Sequence, residues 1–399
     1  MFAGKPFSVG RLPRIVFGAG VFHEIPRIAR QHGQCALIVT GNRSLRASRN
    51  WPVLLDGLRA AGMHWEHLAV EGEPSPQLVD DAVALFGPKH IDVVIGIGGG
   101  SALDAAKAIA GLLKPGNSVL DHLEGVGPEK PYAGPATPFI AVPTTAGTGS
   151  EATKNAVLSV QGESGFKKSF RHDDLVAQVA VVDPELLATC PPEVIAANGM
   201  DAFTQLLESY VSIKANPFTD ALAWSGMEAV RDGFLAAYHG GDGEAAKRGR
   251  TCMSYAALLS GITLAQAGLG SVHGLASPLG AYFPIPHGVV CGTLVATATE
   301  ANIRALRERA PESAALEKYA RVGELLAEQI FSRHETAGQA LVQFLHDWTQ
   351  RLGIRRLGSY GVKEEDISRV VAGSRGSSMK TNPVVLTDAE IAAVIRARL

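Results

Sequence analysis

The chain has 399 residues, 46% of them hydrophobic and 19% charged, enough apolar material for two domains with sizeable cores and too much for a disordered chain. The 37 Lys and Arg set against 39 Asp and Glu leave a net charge of −2, which removes any electrostatic case for nucleic acid or a membrane surface as partner. Four scattered cysteines, Cys35, Cys190, Cys252 and Cys291, form no CxxC pair and read as reduced thiols of a cytoplasmic protein. The N-terminal segment has no secretory pattern, and no apolar stretch reaches transmembrane length without interruption.

The first half alternates short apolar strands with amphipathic helices. Arg14 to Gly18 reads as a strand, Val21 to Gln31 as a helix, and Cys35-Ala-Leu-Ile-Val-Thr40 as a buried strand stopping at Gly41. A helix over 51–61, a strand over 63–70 and a helix over 76–86 follow. Ile91 to Ile97 is a further buried strand, followed by a helix over 102–113, and Phe139 to Val142 is another strand. Continuous apolar strands alternating with helices predict a parallel sheet covered on both faces. Residues 114–138, rich in Gly and Pro, read as a loop over the sheet edge. Beyond Asp183 the periodicity turns helical almost to Leu399, over 203–212, 218–237, 244–265, 315–331 and 336–351, with no convincing strand. The expected organisation is an α/β dinucleotide-binding domain over 1–183 and an all-α domain over 184–399.

Several stretches carry chemistry. Gly98, Gly99, Gly100 and Ser101 follow a strand and open a helix that continues through Asp104 and Lys107. Glycines admit close approach of a ligand, and a helix N-terminus offers free N–H groups and a positive dipole end, so this is a pyrophosphate site by construction. A tight strand-to-helix turn is the plainer alternative, but it needs fewer glycines. Pro143-Thr-Thr-Ala-Gly-Thr-Gly-Ser150 follows the next strand, and Thr144, Thr145 and Thr148 suit ribose, phosphate or a nicotinamide amide. Gly41-Asn42-Arg43 ends an earlier strand without the acidic residue that would hold a ribose 2′-hydroxyl. Arg43 favours a 2′-phosphate, or is simply a solvated turn residue. Lys167 and Lys168 either add phosphate contacts or line a wet strand edge.

The second centre is built on histidine. His273 and His287 bracket an almost uncharged run, Gly-Leu-Ala-Ser-Pro-Leu-Gly-Ala-Tyr-Phe-Pro-Ile-Pro, whose Gly and Pro fall where the chain is expected to turn. Imidazoles in apolar surroundings suit a divalent metal, and a third ligand must come from elsewhere. Asp201, in an uncharged patch, is the best candidate. Gln205 is four residues on and on the same helical face. Carboxylate plus imidazole fits Fe2+ or Zn2+, with an open position for a substrate oxygen.

With GGGSALDAAK at 98–107, PTTAGTGSE at 143–151, GMDAFTQ at 199–205 and HGLASPLGAYFPIPHG at 273–288, the chain resembles the iron-containing (group III) alcohol dehydrogenases of the dehydroquinate-synthase-like fold over nearly its whole length. The resemblance implies an NAD(P) domain, a helical metal domain and a cleft between them. There a hydride passes between nicotinamide and a small alcohol or aldehyde on the metal. It implies Asp201, His273 and His287 as metal ligands, Gly98, Gly99 and Ser101 as the pyrophosphate loop, Thr144, Thr145 and Thr148 as the second cofactor loop, and Lys167 as a cofactor-facing lysine. Members that prefer NAD commonly carry Asp where this chain has Gly41, so NADP is favoured over NAD. A homodimer is the family expectation.

This chain departs from the pattern twice. Many members have His at the position of Gln205, as the remaining metal ligand, and another His at the position of Ser277, often assigned to a proton relay. The proton path is then expected to run through Ser277, a ribose hydroxyl or water. Other readings are an oxo-acid reductase or hydroxyacid–oxoacid transhydrogenase of the same family, a lyase of the dehydroquinate-synthase type that retains its NAD, and a nucleotide sensor with a decayed metal site.

Overall fold

The computed structural model describes residues 6–162 and 164–399. They divide into two compact units, one of Gly10–Val160 with Lys167–Cys190, the other of Pro191–Leu399 with residues 6–9 and Gln161–Phe166. The change of unit falls between Cys190 and Pro191, where the sequence puts it at Asp183.

The first unit is α/β. Its elements are β1 (Arg14–Phe17), α1 (Ile25–Arg30), β2 (Cys35–Gly41), α2 (Asn50–Ala60), β3 (His64–Val70), α3 (Pro76–Phe86), β4 (Val93–Gly98), α4 (Gly100–Leu112), β5 (Phe139–Pro143), β6 (Asn155–Val160), β7 (Phe166–Arg171) and β8 (Val179–Val182). Among the described residues, six strands form one parallel sheet in the order β1-β8-β5-β4-β2-β3. Every residue of β4, β5 and β8 is buried, as a sheet covered on both faces requires. One layer of the core joins Ile38, Ile95, Ile97, Ile140, Val142 and Val181 to Phe22, Ile25 and Leu58. Glycine sets the closeness of β4 and α4. A Cβ on Gly96 would stand 2.7 Å from that of Ala106, and one on Gly98 would stand 2.6 Å from that of Ala102.

Three strands of this unit are not evident in the sequence pattern. β6 and β7 form a separate two-stranded sheet, β7 from polar, lysine-bearing sequence, and β8 is only four residues long. The 114–138 loop does not run free. Leu123 bridges to Phe170 of β7, and Tyr132 donates to the Gly111 carbonyl at 2.6 Å.

The second unit is helical: α5 (Pro192–Val211), α6 (Pro217–His239), α7 (Glu244–Ala267), α8 (Ser271–Tyr282), α9 (His287–Arg309), α10 (Ala314–Ala327), α11 (His334–Arg351), α12 (Ile367–Gly373) and α13 (Asp388–Arg396). Among the described residues no strand follows Val182. Helix starts follow local chemistry. Asn216 accepts from the Thr219 N–H, with Pro217 at the first position of α6, and Thr387 and Glu390 form a capping box on α13.

The stretch after His273 differs from expectation. Gly274, Pro278 and Gly280 do not mark turns, since α8 runs from Ser271 to Tyr282 with Pro278 inside it, whereas Pro284 and Pro286 do fall where the chain turns. Gly274 serves close packing instead, since a Cβ there would lie 2.9 Å from the Met379 methyl and 3.1 Å from the Ser374 carbonyl. The chain turns only at residues 283–286 before α9 begins at His287. No single helix among the described residues is long and apolar enough to cross a membrane.

Candidate active site

In the α/β unit, three sequence motifs meet at one edge of the sheet. β5, β4 and β2 are neighbours and parallel, so the segments leaving their carboxyl ends lie side by side. These are the loops beginning at Thr144, Gly99 and Asn42. The Gly41 N–H lies 3.4 Å from where a Cβ on Gly98 would stand, and the Thr144 N–H donates to the Gly98 carbonyl at 3.0 Å. Gly99, extended, precedes α4 without a side-chain cap, leaving the first N–H groups of Gly100, Ser101 and Ala102 to a ligand. A Cβ on Gly100 would press on Thr148, 2.8 Å from its methyl and 3.0 Å from its hydroxyl, and one on Gly99 would stand 3.3 Å from the Thr145 hydroxyl. The glycines keep open a cradle with hydroxyls on one wall and helix N–H groups on the other, which fits a dinucleotide pyrophosphate.

Asn42 is half-buried and Arg43 exposed at the end of β2. Lys167, on β7, meets Glu73 Oε1 at 2.5 Å, and Glu73 Oε2 also accepts from the Ser159 hydroxyl. Asp104 turns toward the protein: its Oδ1 accepts from the Ser150 hydroxyl at 2.5 Å and lies 3.8 Å from the Lys107 ammonium.

Lys107 is fully buried and ties the helix to the Thr-rich loop. Its Nζ donates to the Ser150 carbonyl at 2.8 Å, the Thr153 hydroxyl at 2.9 Å and the Asn155 carbonyl at 2.7 Å. Burial pulls its ammonium down to about 8, against the attraction of Asp104 and Glu151. Burial likewise pushes the Glu151 carboxyl up to about 7, with Lys107 drawing it back.

In the helical unit, α5, α8 and α9 bring together Asp201, His273, His287 and Cys291. One donor atom from each lies within 4.8 Å of all the others. Asp201 Oδ1 is 3.2 Å from His273 Nε2 and 3.7 Å from His287 Nε2, and Cys291 Sγ is 3.6 Å and 3.8 Å from the same two nitrogens. Asp201 is fully buried, and its other oxygen, Oδ2, makes no hydrogen bond among the described residues. An orphaned carboxylate oxygen beside two imidazoles is costly unless a cation takes it, so the donor set fits a divalent metal. Burial alone would raise the Asp201 carboxyl, but His287 and then His273 outweigh it and hold it down at about 2. Burial pushes the Cys291 thiol up to about 12.

The remaining candidates are close in sequence. Gln205, one turn after Asp201 on α5, is buried, and its Oε1 accepts from the Ser260 hydroxyl at 2.7 Å. Ser277, one turn after His273 on α8, is half-buried. Two residues escape sequence reasoning. Cys291 is one turn after His287 on α9, a relation legible only once that helix is known to start at His287. Glu208, two turns after Asp201 on α5, accepts from His273 Nδ1 at 2.7 Å and from the Val272 N–H at 2.7 Å, leaving Nε2 directed at Asp201.

The model of iron-containing alcohol dehydrogenase matches residues 13–184, and that of the Fe-containing alcohol dehydrogenase family, C-terminal, matches residues 195–399. The chain is 34% identical to alcohol dehydrogenase 4 of Saccharomyces cerevisiae over 328 residues, 81% of each chain. It is 30% identical to the NAD-dependent methanol dehydrogenase of Bacillus methanolicus over 390 residues, 96% of this chain and 97% of that one. The crystal structure of a 1,3-propanediol oxidoreductase superposes with a TM-score of 0.88 at 29% identity, covering 99% of this chain and 100% of the other. On sequence, fold and the donor cluster together, the chain belongs to the iron-containing alcohol dehydrogenase family and is an alcohol oxidoreductase.

Proposed function

We propose that this chain is a metal-dependent, NADP(H)-linked dehydrogenase that interconverts small alcohols and aldehydes. The observation that carries the reading is the buried Oδ2 of Asp201, without a hydrogen bond among the described residues, beside the donor atoms of His273, His287 and Cys291. A divalent ion held there supplies Lewis-acid polarisation of a substrate oxygen, and a nicotinamide supplies or accepts the hydride.

The protein's share is positioning. Asp201 brings negative charge to a dry site, and His273 is fixed in one tautomer by Glu208. His287 is the half-exposed member of the cluster, so substrate is expected to enter on its side. Ser277, on the same face of α8 as His273, passes the proton to or from the substrate oxygen; a hydroxyl relays a proton without storing one near neutral pH. In the α/β unit the N–H groups opening α4 and the hydroxyls of Thr144, Thr145 and Thr148 hold the cofactor. The NADP preference is supported by the lack of a carboxylate at Gly41 and by the exposed Arg43 two residues on.

The test is anaerobic reduction of a panel of short aldehydes and oxo acids, following NADPH and NADH separately with ferrous iron, zinc or chelator. Metal-dependent NADPH oxidation that outruns NADH oxidation is expected. Turnover indifferent to chelator would reject the metal reading, and equal use of both cofactors would reject the preference. D201A is expected to lose metal and turnover while retaining NADPH binding.

A further inference from the structure

Two helices that reach the donor cluster each carry a pair of polar side chains one turn apart. On α5 the pair is Asp201 and Gln205; on α9 it is His287 and Cys291. The second members differ in what they do. The amide oxygen of Gln205 is engaged by the Ser260 hydroxyl at 2.7 Å, and Ser260 in turn is anchored to the Ala257 carbonyl. The Cys291 sulfur, fully buried, instead faces both imidazoles at 3.6 Å and 3.8 Å.

These separations match a known coordination shape. Ordinary zinc bond lengths at tetrahedral angles put a sulfur about 3.6 Å from each nitrogen, and a nitrogen about 3.3 Å from an oxygen. The sulfur–nitrogen distances here are 3.6 and 3.8 Å, and the nitrogen–oxygen distances to Asp201 Oδ1 are 3.2 and 3.7 Å. Four of the six donor separations thus lie near tetrahedral values before any side chain moves, with every pair within 4.8 Å, and three of the donors come with sequence support. An apolar-core role for the cysteine would not require its sulfur to be aimed at two ring nitrogens.

We propose that Cys291, rather than Gln205, is the fourth protein ligand of the metal, binding as a thiolate, so that a substrate oxygen would add as a fifth ligand by expansion of the shell. The inference rests on the metal-dependent reading above. On binding, the S–H bond is exchanged for a sulfur–metal bond and the proton leaves to solvent. A thiolate softens an otherwise oxygen and nitrogen donor set, which moves selectivity from Fe2+ toward Zn2+ and Co2+ in tetrahedral geometry.

The experiment is titration of the metal-stripped protein with Co2+ under anaerobic conditions, read by absorption. A thiolate on Co2+ gives an intense near-ultraviolet charge-transfer band, and tetrahedral geometry gives strong visible bands; neither reading depends on turnover. Wild type and Q205A are expected to show both features at one ion per chain. C291S is expected to lose the charge-transfer band and at least tenfold in affinity for Co2+ and Zn2+, with unchanged circular dichroism and NADPH binding. Stoichiometric binding by wild type without the band, or a C291S spectrum like that of wild type, overturns the ligand assignment and leaves the metal reading intact. Loss of the band in Q205A with retention in C291S assigns the place to the wrong helix and overturns it as well. No Co2+ uptake by wild type overturns both readings.

Discussion

Glu208 and His273 are joined at 2.7 Å between Oε2 and Nδ1, inside the helical unit and both buried. The second carboxylate oxygen holds the Val272 N–H, so one side chain fixes both the ring and the backbone beside it. A carboxylate accepts at both oxygens and therefore requires the proton on Nδ1, which leaves the Nε2 lone pair for a metal. In E208Q an amide N–H must face either Nδ1 or the Val272 N–H. One contact is lost, or the imidazole changes tautomer and presents its proton to the metal side. The variant is expected to fold and to lose on the order of 10- to 100-fold in metal affinity, as removal of a ligand's outer partner does. Chelator competition measures this, and unchanged affinity would show that Glu208 does not orient the ring.

The end of β2 gives a prediction about the cofactor. A Cβ at Gly41 would meet nothing within 4 Å, so a side chain fits there without strain. Exchanging Gly41 for Asp is expected to weaken NADPH by on the order of tenfold or more, through repulsion of the 2′-phosphate, and to spare or strengthen NADH. Fluorescence titration with the two cofactors separates these outcomes. An unchanged NADPH affinity would mean that the 2′-phosphate does not lie at this strand end.

Lys107 makes a prediction about stability. Its ammonium satisfies two backbone carbonyls and two hydroxyls in the interior and neutralises Asp104 nearby. Lys107→Met would leave those acceptors and a mostly buried carboxylate without their partner, a loss of about 3–5 kcal/mol. The α/β unit should unfold at a distinctly lower urea concentration. A midpoint equal to that of wild type would show that the network contributes nothing net.

A further prediction concerns acid. Glu390 accepts from Arg309 through both oxygens, at 2.8 and 3.1 Å, and also caps α13 through Thr387. The Arg309 contact holds its carboxyl down from 4.5 to about 2. A folded-state value below the unfolded one means that the unfolded chain binds the proton more readily, so stability falls as pH drops from 4.5 toward about 2. Because the Arg309 side chain is 38% exposed, the contribution is on the exposed-pair scale, about 1 kcal/mol. Urea midpoints taken at about pH 5 and about pH 3 should converge more closely in E390Q than in wild type; parallel behaviour would remove Glu390 from the acid response.

What the sequence made legible follows from how local each signal is. β2, β4 and β5 are continuous apolar runs bounded by glycine or proline, and their strand character needs no knowledge of partners. β8 is four residues between Gln178 and Asp183, and it is a strand because β1 and β5 flank it, a fact with no local trace. α8 is concealed for the opposite reason: its Gly274 and Pro278 ordinarily break helices, and here the glycine admits Met379 and the Ser374 carbonyl. Asp201, His273 and His287 stand out as polar residues in apolar sequence, whereas Cys291 does not, since a cysteine among Val, Gly and Thr looks like ordinary core. The two units reveal themselves by a change of period, but the 161–166 segment, which groups with the helices although it links β6 to β7, leaves no mark in composition.

The first turn of α8 takes its cap from far along the chain. The Ser271 N–H donates to Asn382, 111 residues later, which also exchanges hydrogen bonds with Asn302. The helix that carries His273 therefore draws part of its N-terminal satisfaction, about 1 kcal/mol on the scale of a helix cap, from a residue near the far end of the sequence. The asparagine that steadies the start of α8 thus couples the far end of the sequence to the turn that bears His273, and N382A is expected to loosen that turn while leaving Asp201 in place.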